Sequence, residues 1–256
     1  MAKLTATRRG WMSGFLSVQV AIVGLSLTMA SGCGSFAAQG RNAEGVRLFQ
    51  QARYQEAIQQ FHQAINAEPN NADCYYNMAA VYHRLGTLNS TPADLKQAEH
   101  YYLMCRDRNP DHTECYRGMA VLMTQQGRGE AAFKLLEDWA ARQPTLPDPK
   151  IELARLHQEY GQPRTAKEHL LEALAVDHDN SRALTAMGSI REQLGESAQA
   201  MEDYQRSLAM NRFQPEVAAR VATLQSGLGT TPTILSPSMT TSGGTRIVTG
   251  GAPVLR

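Results

Sequence analysis

The stretch "RYQEAIQQFHQAINAEPNN", residues 53–71, decides the fold. Ala57, Ile58, Phe61, Ala64 and Ile65 fall on one stripe at helical spacing, and Pro69 stops the pattern. The same arrangement returns four times: Ala57 is followed by Ala98, Ala132, Ala166 and Ala200, at steps of 41, 34, 34 and 34 residues. A second series, Gly45, Ala79, Ala120, Ala154, Gly188 and Ala222, keeps the same period and the same single long step. So does a third, Ala52, Gly86, Gly127, Gly161 and Gly195. Each unit therefore reads as a small residue midway along a first helix, a turn, and an alanine near the start of a second helix. Pro69, Pro110 and Pro144 close the early units, and His178 and Arg212 take that place later.

Packing physics gives these positions their chemistry. Ala or Gly at a helix crossing lets two helices approach within the usual interaxial distance of about 8–10 Å. Phe61, Tyr102, Leu136, Leu170 and Tyr204 lie one turn after the marker alanines and are placed to fill that seam. Met78, Met104, Met119, Met187 and Met201 share the pattern and read as core filling. Two irregularities stand out. Twelve residues separate Gly86 from Ala98, where other units have five. In "NSTPADLKQAEHYYLMC" (89–105), Thr91 is a candidate cap with Pro92 in the first helical position, so the second helix should start early or follow a longer loop. Trp139 takes the place of Ala64, Ala173 and Ser207 and is followed by the proline-rich "RQPTLPDPK" (142–150), which predicts an opened or reoriented junction there.

The pattern is plainest in "ADCYYNMAAVYHRLG" (72–86) and "SRALTAMGSIREQLGESAQAMEDYQRSLAMN" (181–211). It resembles the tetratricopeptide repeat family, whose units are helix–turn–helix pairs of about 34 residues. The resemblance covers 38–226 and implies an all-α, right-handed α-solenoid. Its repeats would be 38–71, 72–112, 113–146, 147–180 and 181–214, with a cap helix at 215–226. In this family the first helix of each unit lines the concave side, where a protein or peptide partner usually lies. Alignment of the first helices then gives groove candidates Asn42, Phe49, Tyr76, His83, Arg84, Arg117, Gln125, Arg155, Gln158 and Arg182. Four arginines and two aromatics suit extended peptides and carboxylates; the plainer alternative is that these side chains simply face water. Some members clamp the carboxylate terminus of heat-shock chaperones. Here Asn77 matches the middle element of that clamp, but Asn42 and Val46 replace its first pair and Glu114 and Gly118 its last, so the clamp is absent.

The ends differ from the middle. Lys3, Arg8 and Arg9 precede the apolar "WMSGFLSVQVAIVGLSLTMA" (11–30), and then "ASGC" (30–33) follows. Residues 1–32 read as an export or membrane-targeting signal. Three outcomes remain open: cleavage before Cys33 with lipidation of its thiol, ordinary cleavage giving a soluble protein, or an uncleaved single membrane span. The first places the protein in a bacterial cell envelope, lipid-anchored and facing the periplasm. Residues 227–256 are rich in Gly, Thr, Ser and Pro without helical period, a composition expected to be disordered. "TRIVT" (245–249) alternates and is a candidate edge strand for a partner.

The charge excludes one function class. The whole chain carries +1, but all 24 acids and all but five of the 25 Lys and Arg lie between the two ends, leaving the body mildly acidic. That is no footprint for nucleic acid. Cys74, Cys105 and Cys115 lack metal-like spacing and read as small buried hydrophobes; if Cys33 is lipidated, their odd number leaves a thiol free or paired with another chain. No catalytic motif or His-rich ligand set occurs. Carboxylates such as Glu202 and Asp203 are adjacent on a helix and point apart. The expectation is a non-enzymatic protein–protein interaction scaffold at the cell envelope, with no cofactor and no metal. The alternative is an accessory adaptor of an envelope enzyme, or a pilotin-like factor of pilus or secretion assembly.

Overall fold

The three small-residue series become helices, seams and turns in the computed structural model, which describes residues 37–228. Residues 1–32, Cys33 and nearly all of the 227–256 tail lie outside the described residues. The described chain divides between His112 and Thr113 into two units.

Unit 1 holds α1 (37–50), α2 (Tyr54–Ala67), α3 (Ala72–Asn89) and α4 (Pro92–Arg108). Leu48, Ala57, Ile58, Phe61, Met78 and Val81 form its core. Gly45 is obligatory at the α1–α2 crossing, because a Cβ there would sit 2.5 Å from the Phe61 ring. Unit 2 holds α5 (Thr113–Gln125), α6 (Gly129–Arg142), α7 (Asp148–Glu159), α8 (Pro163–Val176), α9 (Ser181–Gln193), α10 (Ser197–Met210) and α11 (Pro215–Leu228). Ala154, Ala166, Leu170, Ala173, Ala183 and Met187 belong to one core cluster. Ala200 and Tyr204 receive Val217 and Val221 of α11, which caps the stack. Each unit is built of antiparallel helical hairpins, and no strand occurs among the described residues. No helix among them is long and apolar enough to cross a membrane.

The hairpin turns repeat one device. Ala52, Gly127, Gly161 and Gly195 adopt positive φ of 59°, 74°, 71° and 79°. The next residue's N–H then reaches back five positions: Arg53 to Leu48 O at 2.9 Å, Arg128 to Met123 O at 2.8 Å, Gln162 to His157 O at 2.9 Å and Glu196 to Arg191 O at 2.8 Å. This left-handed closure satisfies carbonyls that the helix end leaves unpaired. Gly86 belongs to the same sequence series but lies inside α3. The seven-residue excess is taken up as helix: α3 has 18 residues against 13 in α5 and α9, and α4 has 17 against 14 in the other second helices. Ser90 now holds the left-handed position, φ 52°, and Thr91 N–H bonds to Gly86 O at 3.0 Å. The early start of α4 is thus as expected, with Pro92 in the first turn. Thr91 is its N-cap, but the Thr91 side chain makes no capping bond.

Trp139 does not open a junction. It is fully buried and stacks flat on Tyr116, centroids 4.0 Å apart and planes within 4°, and unit 2 continues through the prolines that follow. A parallel stack lets a large ring occupy little depth, which is why the seam tolerates it. Met78, Met119 and Met187 are buried as core; Met104 and Met201 are half-buried.

Candidate functional site

The first helices of unit 2 bring distant charges to one place. Arg117 comes from α5, Glu152 and Arg155 from α7, and Arg182 from α9. Stacking brings successive first helices side by side, although only Arg182 and Asp148 are equivalent positions, 34 residues apart; Glu152 lies 35 residues from Arg117 and 30 from Arg182. Arg117 Nε lies 3.1 and 3.0 Å from the two Glu152 carboxylate oxygens, and its Nη2 is 2.5 Å from Oε1. Arg155 Nε donates to Glu152 Oε2 at 3.0 Å, and Arg182 Nη2 to Oε1 at 2.7 Å. Glu152 is 1% exposed, so three guanidiniums share one buried carboxylate. Two rim carboxylates complete the set: Glu159 receives Arg155 Nη1 and Asp148 receives Arg182 Nη1.

The electrostatics of Glu152 follow from these partners. Burial pushes its pKa up, but the hydrogen bonds and charge of Arg117, with the charges of Arg155 and Arg182, outweigh burial and hold it below the ordinary value. A pocket of about 120 Å³ opens beside the cluster. Arg117, Glu152, Arg155, Gln158 and Arg182 supply its polar lining, and Ile151, Ala154, Leu170, Ala186 and Ile190 its apolar lining. Arg155 Nη2 is buried without a hydrogen-bond acceptor among the described residues.

Four expected groove residues, Arg117, Arg155, Gln158 and Arg182, therefore line one pocket. Others are placed differently. Tyr76 and His83 were expected at the groove, and this is corrected: both are buried in unit 1. Seven residues apart on α3, they share one face; that face meets Tyr102 of α4, with Tyr76 at 6.2 Å between centroids and His83 Nδ1 at 3.2 Å from Tyr102 Oη. Tyr76 also packs on His112 at 5.5 Å. Asn77 is buried and donates to Asn42 at 2.9 Å. Phe49 packs edge-on against Tyr54. Arg84 is half-buried in unit 1, and Gln125 is exposed at the end of α5. Cys33 lies outside the described residues. The residue that sequence reasoning missed is Glu152. A signal existed: it precedes Arg155 by one turn, so the two share a face.

Comparison with known proteins agrees with this fold. A family model described as "TPR repeat" matches residues 45–86, and two described as "Tetratricopeptide repeat" match 126–190 and 181–214. The chain therefore carries tetratricopeptide repeats, and its fold is the all-α solenoid they define. Among curated proteins, residues of this chain are 37% identical over 73 positions to the Hsp70-Hsp90 organizing protein of Triticum aestivum, covering 28% of this chain and 11% of that one. They are 24% identical over 186 positions to protein O-mannosyl-transferase TMTC3 of Homo sapiens, covering 66% of this chain and 20% of that one. The chain thus spans a fifth or less of either relative. Among solved structures, TTC0263, a thermophilic TPR protein of Thermus thermophilus, superposes with TM-score 0.55 at 21% identity, over 74% of this chain and all of that one. PilW, a type IV pilus biogenesis factor, does so with TM-score 0.50 at 15% identity, over 75% of this chain and 86% of that one. At these identities the likeness is one of fold.

Proposed function

We propose that this protein is a non-enzymatic binding module that holds a peptide segment of a partner protein in the pocket of unit 2. The observation that carries the reading is the guanidinium cluster of Arg117, Arg155 and Arg182 at a pocket with an apolar lining. A buried carboxylate fixes three arginines in place, so little side-chain entropy is lost when an acidic group of the partner arrives. The rim carboxylates Asp148 and Glu159, with side chains 29% and 43% exposed, are exchangeable for it, because partly exposed ion pairs contribute little. The pocket's size favours a peptide over a metabolite: about 120 Å³ is well below the roughly 300–1,000 Å³ of small-molecule sites.

The module works at the bacterial cell envelope. Support comes from the basic and apolar segment before "ASGC", with Cys33 as the acylated residue. Mass spectrometry of the mature N-terminus tests this: an acyl mass on Cys33 is expected, and an unmodified cysteine removes the lipid anchor from the reading. The binding function is tested by capture of crosslinked partners from membranes. Arg117→Glu with Arg155→Glu should abolish capture while helical circular dichroism stays intact, and capture by the native chain should weaken as salt rises. Capture that survives the double reversal moves the site elsewhere.

A further inference from the structure

We propose that His157 and His169 form an acid-sensitive clasp across the α7–α8 hairpin, which fastens unit 2 beside its pocket at neutral pH and loosens it in mild acid. The control of binding by this clasp rests on the function proposed above; the clasp itself does not.

Three observations carry it. First, the pair occupies a register that the fold uses repeatedly to join a hairpin. His157 lies three residues past Ala154, and His169 three past Ala166. The same places hold Tyr82 and Tyr101, which stack at 5.6 Å between centroids, then Met123 and Leu135, and finally Arg191 with Asp203, joined at 2.8 Å. Of these pairings only the two imidazoles have an ordinary pKa inside the range of about pH 5–8. Second, the rings are packed to suit the neutral form. They lie 5.1 Å apart between centroids with planes within 19°, and Phe133 of α6 covers His157 at 4.7 Å. Gln162 Oε1, 2.6 Å from His157 Nδ1, holds that ring in place. His169 Nδ1 is buried without a hydrogen-bond partner among the described residues; Glu172 Oε2, at 3.8 Å, is beyond hydrogen-bond reach. Third, the electrostatics set the direction. Burial, and then the charge of His157 on α7, lower the pKa of His169 below the ordinary 6.5, against Glu172 and Glu168 on its own helix. The face of α6 presents the uncharged Phe133, and Arg191 of α9 is engaged by Asp203. An imidazole that binds protons more weakly when folded contributes stability that is whole above 6.5 and is lost as the pH falls through the folded value. Gln158 follows His157 and Leu170 follows His169; both line the pocket, so a loosened hairpin shifts two of its walls.

The test uses the full chain with Trp11→Phe, which leaves Trp139 as its single tryptophan. In isotope-labelled protein, the imidazole Cε1–H signal of His169, assigned through bonds, reports its titration by NMR. The midpoint should lie below 6.5 and should rise when His157→Gln removes the facing ring. Urea midpoints read by Trp139 fluorescence should fall between pH 7.5 and pH 5.0, a range above the titration of Glu152, and should fall less than half as far in His169→Gln. Capture of crosslinked partners should drop by about threefold from pH 7.5 to pH 5.5 in the native chain and hold steady in His169→Gln. A His169 midpoint at or above 6.5, or an equal loss of stability with acid in the native and His169→Gln chains, overturns the clasp. Where a variant misfolds, as circular dichroism would show, the NMR midpoint of the native chain still decides. If the clasp titrates as stated but capture ignores pH, its control of binding is overturned. If nothing is captured at either pH, the binding function fails and the clasp stands on its titration and stability.

Discussion

Ala52 holds a backbone conformation that three later repeats assign to glycine. Its φ of 59° matches those of Gly127, Gly161 and Gly195, yet it bears a Cβ. An L-residue there carries a strain of roughly 1–2 kcal/mol, partly offset by glycine's greater unfolded-state entropy. Ala52→Gly should therefore stabilise unit 1 by about 0.5–1 kcal/mol in a urea titration; a destabilised variant would contradict the turn geometry. Cys74 gives a second expectation. Burial, aided by Asp73 and Glu68, pushes its thiol pKa up to about 12, so at pH 8 it should resist iodoacetamide until the protein is unfolded. Glu152 gives a third. A carboxyl held below its unfolded value binds protons more weakly when folded. Its stabilisation is present above the ordinary value of 4.5 and is lost as pH falls below it through the folded value. Glu152→Gln should cost about 2–3 kcal/mol at neutral pH, less than a fully buried pair because Arg117 and Arg182 are 37% and 42% exposed. The gap between variant and native stability should close as the pH drops below about 4.5. These residue-scale effects were only partly readable beforehand. Small residues at fixed spacing announce their role because the backbone leaves no alternative. The arginines did not announce theirs: which charge neutralises them depends on stacking between units, and Glu152 reads in sequence as one surface acid among many.

At the scale of helices, the hairpin crossing is the most sensitive point. A Cβ on Gly188 would lie 2.6 Å from the Tyr204 ring, which Glu192 fixes by accepting a hydrogen bond from its hydroxyl at 2.7 Å. With the ring unable to retreat, Gly188→Ala should destabilise by roughly 1–3 kcal/mol through overpacking, and Ala166→Leu at the fully buried α7–α8 seam by a similar amount. Thermal melts by circular dichroism check both; a neutral result for either would mean the helices can slide apart. The long second repeat was legible as an irregularity but not in its form. Seven extra residues are close to two helical turns, at about 3.6 residues per turn. Added to a hairpin as helix, they preserve which face looks inward, whereas the same number added as loop would not. Sequence alone showed Thr91 and Pro92 as a start signal, yet Ser90, which makes the turn, carries no such mark. Tyr76 and His83 were misassigned because the face they share, taken as open, is covered by Tyr102, which holds the same seam position as Phe61 and Tyr204.

For the molecule as a whole, the two units each contain their own reporter. Cys74 is buried in unit 1, and Trp139 in unit 2. In repeat architectures, stability is summed from neighbouring contacts, so damage stays near its source. In a Trp11→Phe background, Glu152→Gln should lower the urea midpoint followed by Trp139 fluorescence. The midpoint for Cys74 alkylation, read by mass spectrometry of the modified peptide, should move much less. Equal shifts would show that the chain unfolds as one body. The same locality governs time. The bonds within and between repeats join residues close in sequence: Asp73 to His112 is a separation of 39, Arg117 to Glu152 of 35, and Tyr116 to Arg142 of 26. A ribosome adding roughly 5–20 residues per second supplies the second partner of each pair on the order of 1–8 s after the first. Low contact order of this kind favours rapid assembly. The nascent chain can thus stack its early hairpins while α11 is still unsynthesised, and an error of translation in one repeat need not delay those already made.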